Sequence, residues 1–398
     1  MKTTKKLADL PPYLFAQIDA SVAKLRASGK DILALSKSDP DHPSPHDVVK
    51  ELQAQAERPE NHHYPDFDGL PELRQEGARW YHHRFGVKLN PQTQILPLLG
   101  SKEGIVHICE AFVDPGDVVL VPDPAFPSYK TGAVLAGGQV HSLALLPEGR
   151  FLPDFSKIDS ATARKAKIMF LNYPNNPTGA VASADFFAQV VEFAKSNDIM
   201  VCHDHAYSQT VFGGYRSPSF LATPGAMDVG VEFFTFSKAF NMAGWRLGLV
   251  VGNAEMIHGL KIVETHVNAG VFYPVQFAGA KALAMGPDHP FFEEMNTNYL
   301  RRLTKVVEFF NARGWQLQVP QATVYAWVPC PAGYTSVTFT KFLLDEAGVA
   351  VSPGTGFGEM GEGYVRICVT YPDTVLDKAL ERIGRCIDKY GLKPPSQV

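Results

Sequence analysis

No apolar run in the chain approaches the roughly 18 residues that a membrane-spanning helix needs, so the sequence predicts no transmembrane segment. Cysteine is scarce: Cys109, Cys202, Cys330, Cys368 and Cys386 are odd in number, scattered, and include no CxxC pair. That pattern argues against a disulfide framework and predicts reduced, mostly buried thiols in a cytoplasmic protein. Positive charge is not in excess. Lys and Arg total 37 against 41 Asp and Glu, a formal net charge of -4, so the basic field that nucleic acid selects is missing. The opening stretch "MKTTKKLADLPPYLF" is basic but has no long apolar core, and reads as no secretory signal. The sequence shows no internal repeat and no low-complexity tract.

What is present is the profile of a globular enzyme-sized chain: 398 residues, 45% hydrophobic and 20% charged. That length suits one large domain and one smaller one. Residues 1–45 read as an irregular, proline-bearing arm with at most one short helix, forming part of the small domain. From 46 to 285 apolar strands alternate with helical patterns: "DVVLVPDP", "KIMFLN", "DIMVCHD", "VEFFTFSK" and "WRLGLVVGN" as strands, and "SKEGIVHICEAFV", opened by Ser101 as N-cap, as a helix. Continuous apolar strands separated by helices predict an α/β fold with a mostly parallel sheet covered on both faces. From 286 to 398 a long helix, short strands and a final helix predict a smaller α+β domain.

Three polar residues, Asn176, Asp204 and Lys238, each follow the apolar part of a different predicted strand. Ligands of parallel α/β sheets bind outside the carboxyl ends of the strands, so these three point to one site. Lys238 is the informative member. A buried lysine is costly unless paired or neutralised, and an uncharged amine is a nucleophile toward carbonyls. Its apolar neighbours and Arg246 should both lower its pKa. The plain alternative is an ordinary salt-bridged lysine.

A pyridoxal phosphate site asks for a lysine, an acid facing the pyridine nitrogen, donors for the phenolic oxygen, a phosphate cradle and a stacking ring. Lys238 and Asp204 fill the first two roles, and Asn176 and Tyr207 the third. Ser101 at a helix start, with Ser237 and Arg246, suits a phosphate, and Phe126 in "DPAFPSYK" can stack on the ring. The triplet "HDH" at His203–His205 invites a metal reading. No third ligand stands at an obvious spacing, and strand alternation turns both histidines away from Asp204, so no metal is expected. His62–His63 and His82–His83 read as exposed. "GFGEMG" fits GxGxxG but leads into the strand-like "YVRICVT" rather than a helix, and reads as a flexible loop.

Together these motifs resemble the class I/II aminotransferases, the fold-type I pyridoxal phosphate enzymes, over nearly the whole chain. "SKAFNMAGWRLG" is similar to the family's lysine signature, "NYPNNPTG" to its NPTG loop, "DHAY" to its D-x-A-Y element and "GSKEG" to its phosphate turn. "YPDFDGLPELR" and "YVRICV" match two further family segments. The resemblance implies that Lys238 bonds the cofactor's aldehyde, then moves a proton from the substrate Cα once the substrate amine has displaced it. It implies phosphate contacts from Ser101, Lys102, Ser237 and Arg246, and an α-carboxylate grip from Arg366 with Asn176. It also implies a homodimer in which Tyr64 reaches the neighbouring subunit's phosphate. Segments such as "RFGVKLNPQTQILPLLGSKEGI" and "VGVEFFTFSKAFNMAGWRLG" resemble the branch of LL-diaminopimelate aminotransferases and their alanine aminotransferase relatives. That branch implies transamination of LL-diaminopimelate with 2-oxoglutarate. One departure stands out: "LSKSDPD" places Ser38 where the family usually has glycine near the substrate carboxylate, adding bulk to the pocket. Alanine, aspartate or another amino acid as donor, or a β-lyase reaction on the same scaffold, are the alternatives.

Overall fold

The computed structural model describes residues 3–8, 10 and 13–395, so parts of the basic N-terminal stretch (residues 1, 2, 9, 11 and 12) and residues 396–398 lie outside the described residues. Twelve strands occur among the described residues: β1 (Leu33–Ala34), β2 (Ile95–Leu98), β3 (Val118–Asp123), β4 (Gln139–Ala144), β5 (Ala166–Asn172), β6 (Met200–Asp204), β7 (Gly230–Thr235), β8 (Gly248–Gly252), β9 (Tyr325–Pro329), β10 (Val349–Ala350), β11 (Ser352–Pro353) and β12 (Tyr364–Cys368). Seven of them form one sheet in the order β2-β8-β7-β6-β5-β3-β4. β8 runs antiparallel to both its neighbours, and the other pairings are parallel.

The apolar runs explain the layering. Every residue of β3, β7 and β8 is buried, whereas the edge strand β4 buries only Leu143 and leaves the rest half-buried or exposed. Side chains along a strand point to opposite faces in turn, and the core divides accordingly. Val119, Val121, Ile168, Phe170, Val231 and Phe233 belong to one cluster, and Leu120, Met169, Leu171, Val201, Phe234 and Leu249 to another. Helix Ser101–Phe112 packs its Ile105 and Ile108 into the first of these. Each face is therefore covered, as a largely parallel sheet requires.

A three-stranded antiparallel sheet, β11-β12-β9, lies C-terminal to the large one, and β1 pairs in parallel with β10, tying residues 33–34 to 349–350. The register of β12 on β9 puts Arg366 opposite Trp327. The N-terminal region is more regular than its prolines suggest: helix Leu14–Ala27 is 14 residues long. Ile18, Val22 and Leu25 recur at helical spacing and pack with Ile32 and Ala350, and this stripe holds the helix down.

Candidate functional site

The carboxyl ends of β5, β6 and β7 converge on a cavity of about 450 Å³. Asp204 closes β6, and Asn172 closes β5 and starts the loop that carries Asn176. Beyond β7 the chain turns into a single helical turn, Phe236–Ala239, capped by the Thr235 side chain, so Lys238 sits on this turn rather than at the end of the strand itself. Lys238, Asp204, Tyr207, Asn176, Ser101, Lys102, Phe126, Ser237, Arg246, Arg366 and Ser38 all line the cavity. Tyr64 does not, and its side chain is 88% exposed. A larger cleft of about 810 Å³ opens alongside and shares Tyr13 and Phe126, but reaches neither Lys238 nor Asp204.

The acid is held with one oxygen free. Tyr129 donates its hydroxyl to Asp204 Oδ2 at 2.8 Å, and Asn172 Nδ2 holds the Asp204 carbonyl at 2.8 Å. Asp204 Oδ1 is buried and has no partner. Burial pushes the Asp204 carboxyl up to about 6, against the Tyr129 hydrogen bond and the nearby His203, which pull it down. A buried acceptor without a donor is rare and costly. Its open oxygen faces a cavity, which suits a protonated ring nitrogen.

Lys238 carries the complementary perturbation. Removal from water pushes its amine down to about 8, helped by the Arg366 and Arg246 charges and opposed mainly by Asp39. Its Nζ donates to the Ser38 carbonyl and lies 3.4 Å from Ser38 Oγ. The Ser38 hydroxyl in turn accepts from Tyr325 at 2.9 Å, and Tyr325 meets the Tyr207 hydroxyl. Ser38 thus adds more than bulk, because it joins the lysine to a buried chain of hydroxyls.

The turn at Gly100 has the geometry to hold an anion. Gly100 caps helix Ser101–Phe112 with φ of 87°, so Ser101 is the first helical residue and not the N-cap. A Cβ at Gly100 would strike the Arg246 guanidinium, and one at Gly248 would lie 2.6 Å from the Ser101 backbone nitrogen. Glycine at both places lets free N–H groups, the helix dipole and Arg246 face the same spot. Arg246 is itself anchored through Nη1 to the Ala243 carbonyl at 2.9 Å.

Arg366 is 1% exposed, yet no carboxylate pairs with it among the described residues. Its Nη1 donates to Asn176 Oδ1 and its Nη2 to the Ser36 carbonyl, both at 2.7 Å. Tyr325, Phe357 and Phe15 surround the guanidinium, with ring centroids 4.3, 4.5 and 5.3 Å away. Nε has no partner. A buried cation held only by neutral groups could receive an anion.

The opposite face of β6 is different. His203 and His205 turn away from Asp204, as alternation requires, and a third donor does meet them: Glu232 from β7, whose two oxygens lie 3.2 and 3.3 Å from the two Nδ1 atoms. Sequence spacing could not reveal Glu232, which arrives from the neighbouring strand through the pairing of His203 with Glu232. All three side chains are fully buried and hydrogen-bonded to further partners, among them Ser217, Ser219 and the Phe220 amide. Burial alone would raise Glu232, but His205 and His203 outweigh it and hold its carboxyl well below the usual range. The "GFGEMG" segment is no loose loop either. It folds as two tight turns, Gly354–Phe357 and Glu359–Gly361, and Asp123 accepts the Glu359 and Met360 amides.

Sequence reasoning missed Tyr129, Tyr325, Asn172 and Phe15. Tyr129 lies three residues after Phe126 at the start of a helix, and Asn172 stands beside the recognised loop, so each had a local signal. Tyr325 and Phe15 had none.

Comparison with known proteins is consistent with this geometry. Residues 30–383 match the family Aminotransferase class I and II. The chain is 48% identical over 389 residues to an LL-diaminopimelate aminotransferase of Moorella thermoacetica, covering 98% of this chain and 99% of that one. It is 47% identical over 384 residues to the enzyme of that name from Dehalococcoides mccartyi, at 96% and 98% coverage. Among solved structures, substrate-bound BacF from Bacillus subtilis superposes with a TM-score of 0.95 at 35% identity over all of both chains. A Thermus thermophilus aspartate aminotransferase variant gives 0.90 at 28% identity, over 97% of this chain and all of that one.

Proposed function

Because the chain belongs to the class I and II aminotransferases, transaminases that use pyridoxal 5'-phosphate, we propose that the cavity beneath Lys238 is its active site and that LL-diaminopimelate with 2-oxoglutarate is its preferred pair. The observation that carries the site is the open Asp204 Oδ1 sharing one cavity with the Lys238 amine, which burial pushes down to about 8. The printed names of the full-length relatives support the donor.

When bound, the cofactor supplies an aldehyde for the amino group and a protonated ring that draws electrons from the substrate Cα. Asp204 keeps the ring nitrogen protonated, with Tyr129 fixing its other oxygen. Tyr207 and Asn176 hold the phenolic oxygen, and Phe126 covers the ring. The Ser101–Lys102 turn, Ser237 and Arg246 hold the phosphate. Arg366, with Asn176 and beside Ser38, takes the substrate α-carboxylate. Lys238 would hold the aldehyde group, and its amine, when free, would carry the proton at the substrate Cα. An amine near 8 suits that task at neutral pH.

The proposed division is a cofactor-binding domain over 46–285 and a small domain from 286–398 with the 1–45 arm. A homodimer completes the site, with Tyr64 reaching the neighbouring phosphate. Tyr64 is 88% exposed, and Val267, Ile262 and Phe67 are about half exposed, at 56, 51 and 49%, apolar surface of the kind a second subunit would cover. A cytoplasmic location agrees with five buried cysteines that form no disulfide. No helix among the described residues is long and apolar enough to cross a membrane.

The test is kcat/KM across a panel of amino donors with 2-oxoglutarate, since that ratio measures discrimination in the transition state. LL-diaminopimelate is expected to lead. Alanine or an aromatic donor ahead by tenfold or more, about 1.4 kcal/mol, overturns the donor and leaves transamination standing. For the shared site, inactive Lys238→Ala and Tyr64→Phe subunits are mixed. Activity should return, because one site of the mixed dimer carries neither lesion.

A further inference from the structure

An ion pair stands at the mouth of the same cavity. Asp19 Oδ2 lies 2.8 Å from Lys37 Nζ, both side chains are about half exposed, at 49 and 45%, and both residues line the cavity that has Arg366 at its floor. The two are mounted differently. Lys37 is fixed by its backbone: its N–H donates to the Tyr371 hydroxyl at 3.3 Å, and its carbonyl accepts from Thr370 Oγ1 at 3.3 Å. It also follows Ser36, whose carbonyl holds Arg366. Asp19 lies one turn after Phe15 on helix Leu14–Ala27, on the same face, and Phe15 is one of the rings around the Arg366 guanidinium. The buried Arg366 and the half-exposed Asp19–Lys37 pair therefore line one cavity, which offers an inner guanidinium and, nearer solvent, one charge of each sign.

We propose that Asp19 and Lys37 are specificity residues that read the far end of the amino donor, and that this end carries an ammonium and a carboxylate together. The inference rests on the assignment of Arg366 to the α-carboxylate. A half-exposed ion pair contributes little to stability and is readily exchanged. A donor with a second amino-acid group at its far end replaces the pair with two like it, the ammonium on Asp19 and the carboxylate on Lys37. A donor with a distal carboxylate alone gains Lys37 but meets Asp19 as a like charge. An apolar side chain gains neither. The pair thus selects by attraction and by repulsion at once.

The test compares holoenzymes of wild type, Asp19→Asn and Lys37→Met on three donors: LL-diaminopimelate, and 2-aminoadipate and norleucine, whose backbones are one carbon shorter. The inhibition constant of heptanedioate, which is bound without reaction, supplies a readout independent of turnover. Asp19→Asn should lower kcat/KM for diaminopimelate about tenfold, mainly through KM, leave norleucine within twofold, and leave or improve aminoadipate and heptanedioate. Lys37→Met should weaken diaminopimelate, aminoadipate and heptanedioate about tenfold and spare norleucine. A uniform loss on all donors marks a structural role and overturns the proposal. A wild type that uses diaminopimelate while neither variant discriminates overturns the role of the pair and leaves the proposed donor intact. A wild type that turns over aminoadipate but not diaminopimelate overturns the donor itself, whatever the variants do.

Discussion

The two faces of the sheet at strands β6 and β7 carry the same kinds of residue and opposite designs. On one face Asp204 is buried with an oxygen left open toward a cavity, and burial pushes its carboxyl up to about 6. On the other, Glu232 is equally buried, but two imidazoles, a serine hydroxyl and a backbone amide satisfy it, and its carboxyl is held well below the usual range. Two buried acids in adjacent strands of one sheet thus differ in whether the protein finished their hydrogen bonding. A completed network specifies structure. An incomplete one, next to space, waits for a ligand.

Breaking each face separately tests that distinction. The largest effect is expected on the open face: Lys238→Ala should remove transamination by more than about a hundredfold, since the variant lacks the proposed covalent anchor and proton carrier. Asp204→Ala should follow, with kcat lower by about a hundredfold and the melting temperature little changed, because the variant removes the charge proposed to act in the reaction and not in the empty protein. Glu232→Gln should do the converse. Glu232 shares hydrogen bonds with His203, His205, Ser219 and the Phe220 amide, and an amide cannot accept from all four, so stability should fall by about 1–3 kcal/mol, seen as a lower midpoint in thermal or urea unfolding, while kcat per folded molecule stays within a few-fold.

A pH comparison of cofactor-free and cofactor-loaded protein sharpens the point. Without a partner the folded Asp204 carboxyl binds its proton more tightly than the ordinary value of 3.8, up to about 6. Between these values the folded state holds more protons than the unfolded chain, so this group's contribution to stability declines as pH rises through that window. A protonated ring nitrogen facing Oδ1 cancels the penalty. The gap in melting temperature between loaded and empty protein should therefore widen as pH rises from about 4 to about 6, and Asp204→Asn should flatten it. The smallest effect is expected from Tyr129→Phe. Its hydroxyl lowers the Asp204 value, so its loss should move the acid limb of kcat to higher pH with a rate loss of only several-fold.

How much of this was legible follows from how each residue reaches the site. Lys238, Asp204 and Asn176 stand just past apolar strands, and strand ends in a parallel sheet converge, so periodicity alone brought them together. Glu232, Tyr325 and Phe15 come from a neighbouring strand, the small sheet and the N-terminal helix, and no spacing in one sequence encodes those distances. The cap of helix Ser101–Phe112 was misread because serine is the commoner cap, whereas here the close approach of Arg246 and a φ of 87° demand glycine. The N-terminal helix was obscured by flanking prolines that end before its apolar stripe begins.

The central claim is that the amine opposite Asp204 carries the cofactor, and trapping it is the most direct test. Purified, cofactor-loaded protein is reduced with borohydride, digested, and the peptide bearing the pyridoxyl group is identified by mass spectrometry. The account predicts the label on Lys238, with no trapping in Lys238→Ala. A label on Lys102 or any other lysine, or undiminished trapping in Lys238→Ala, would contradict it.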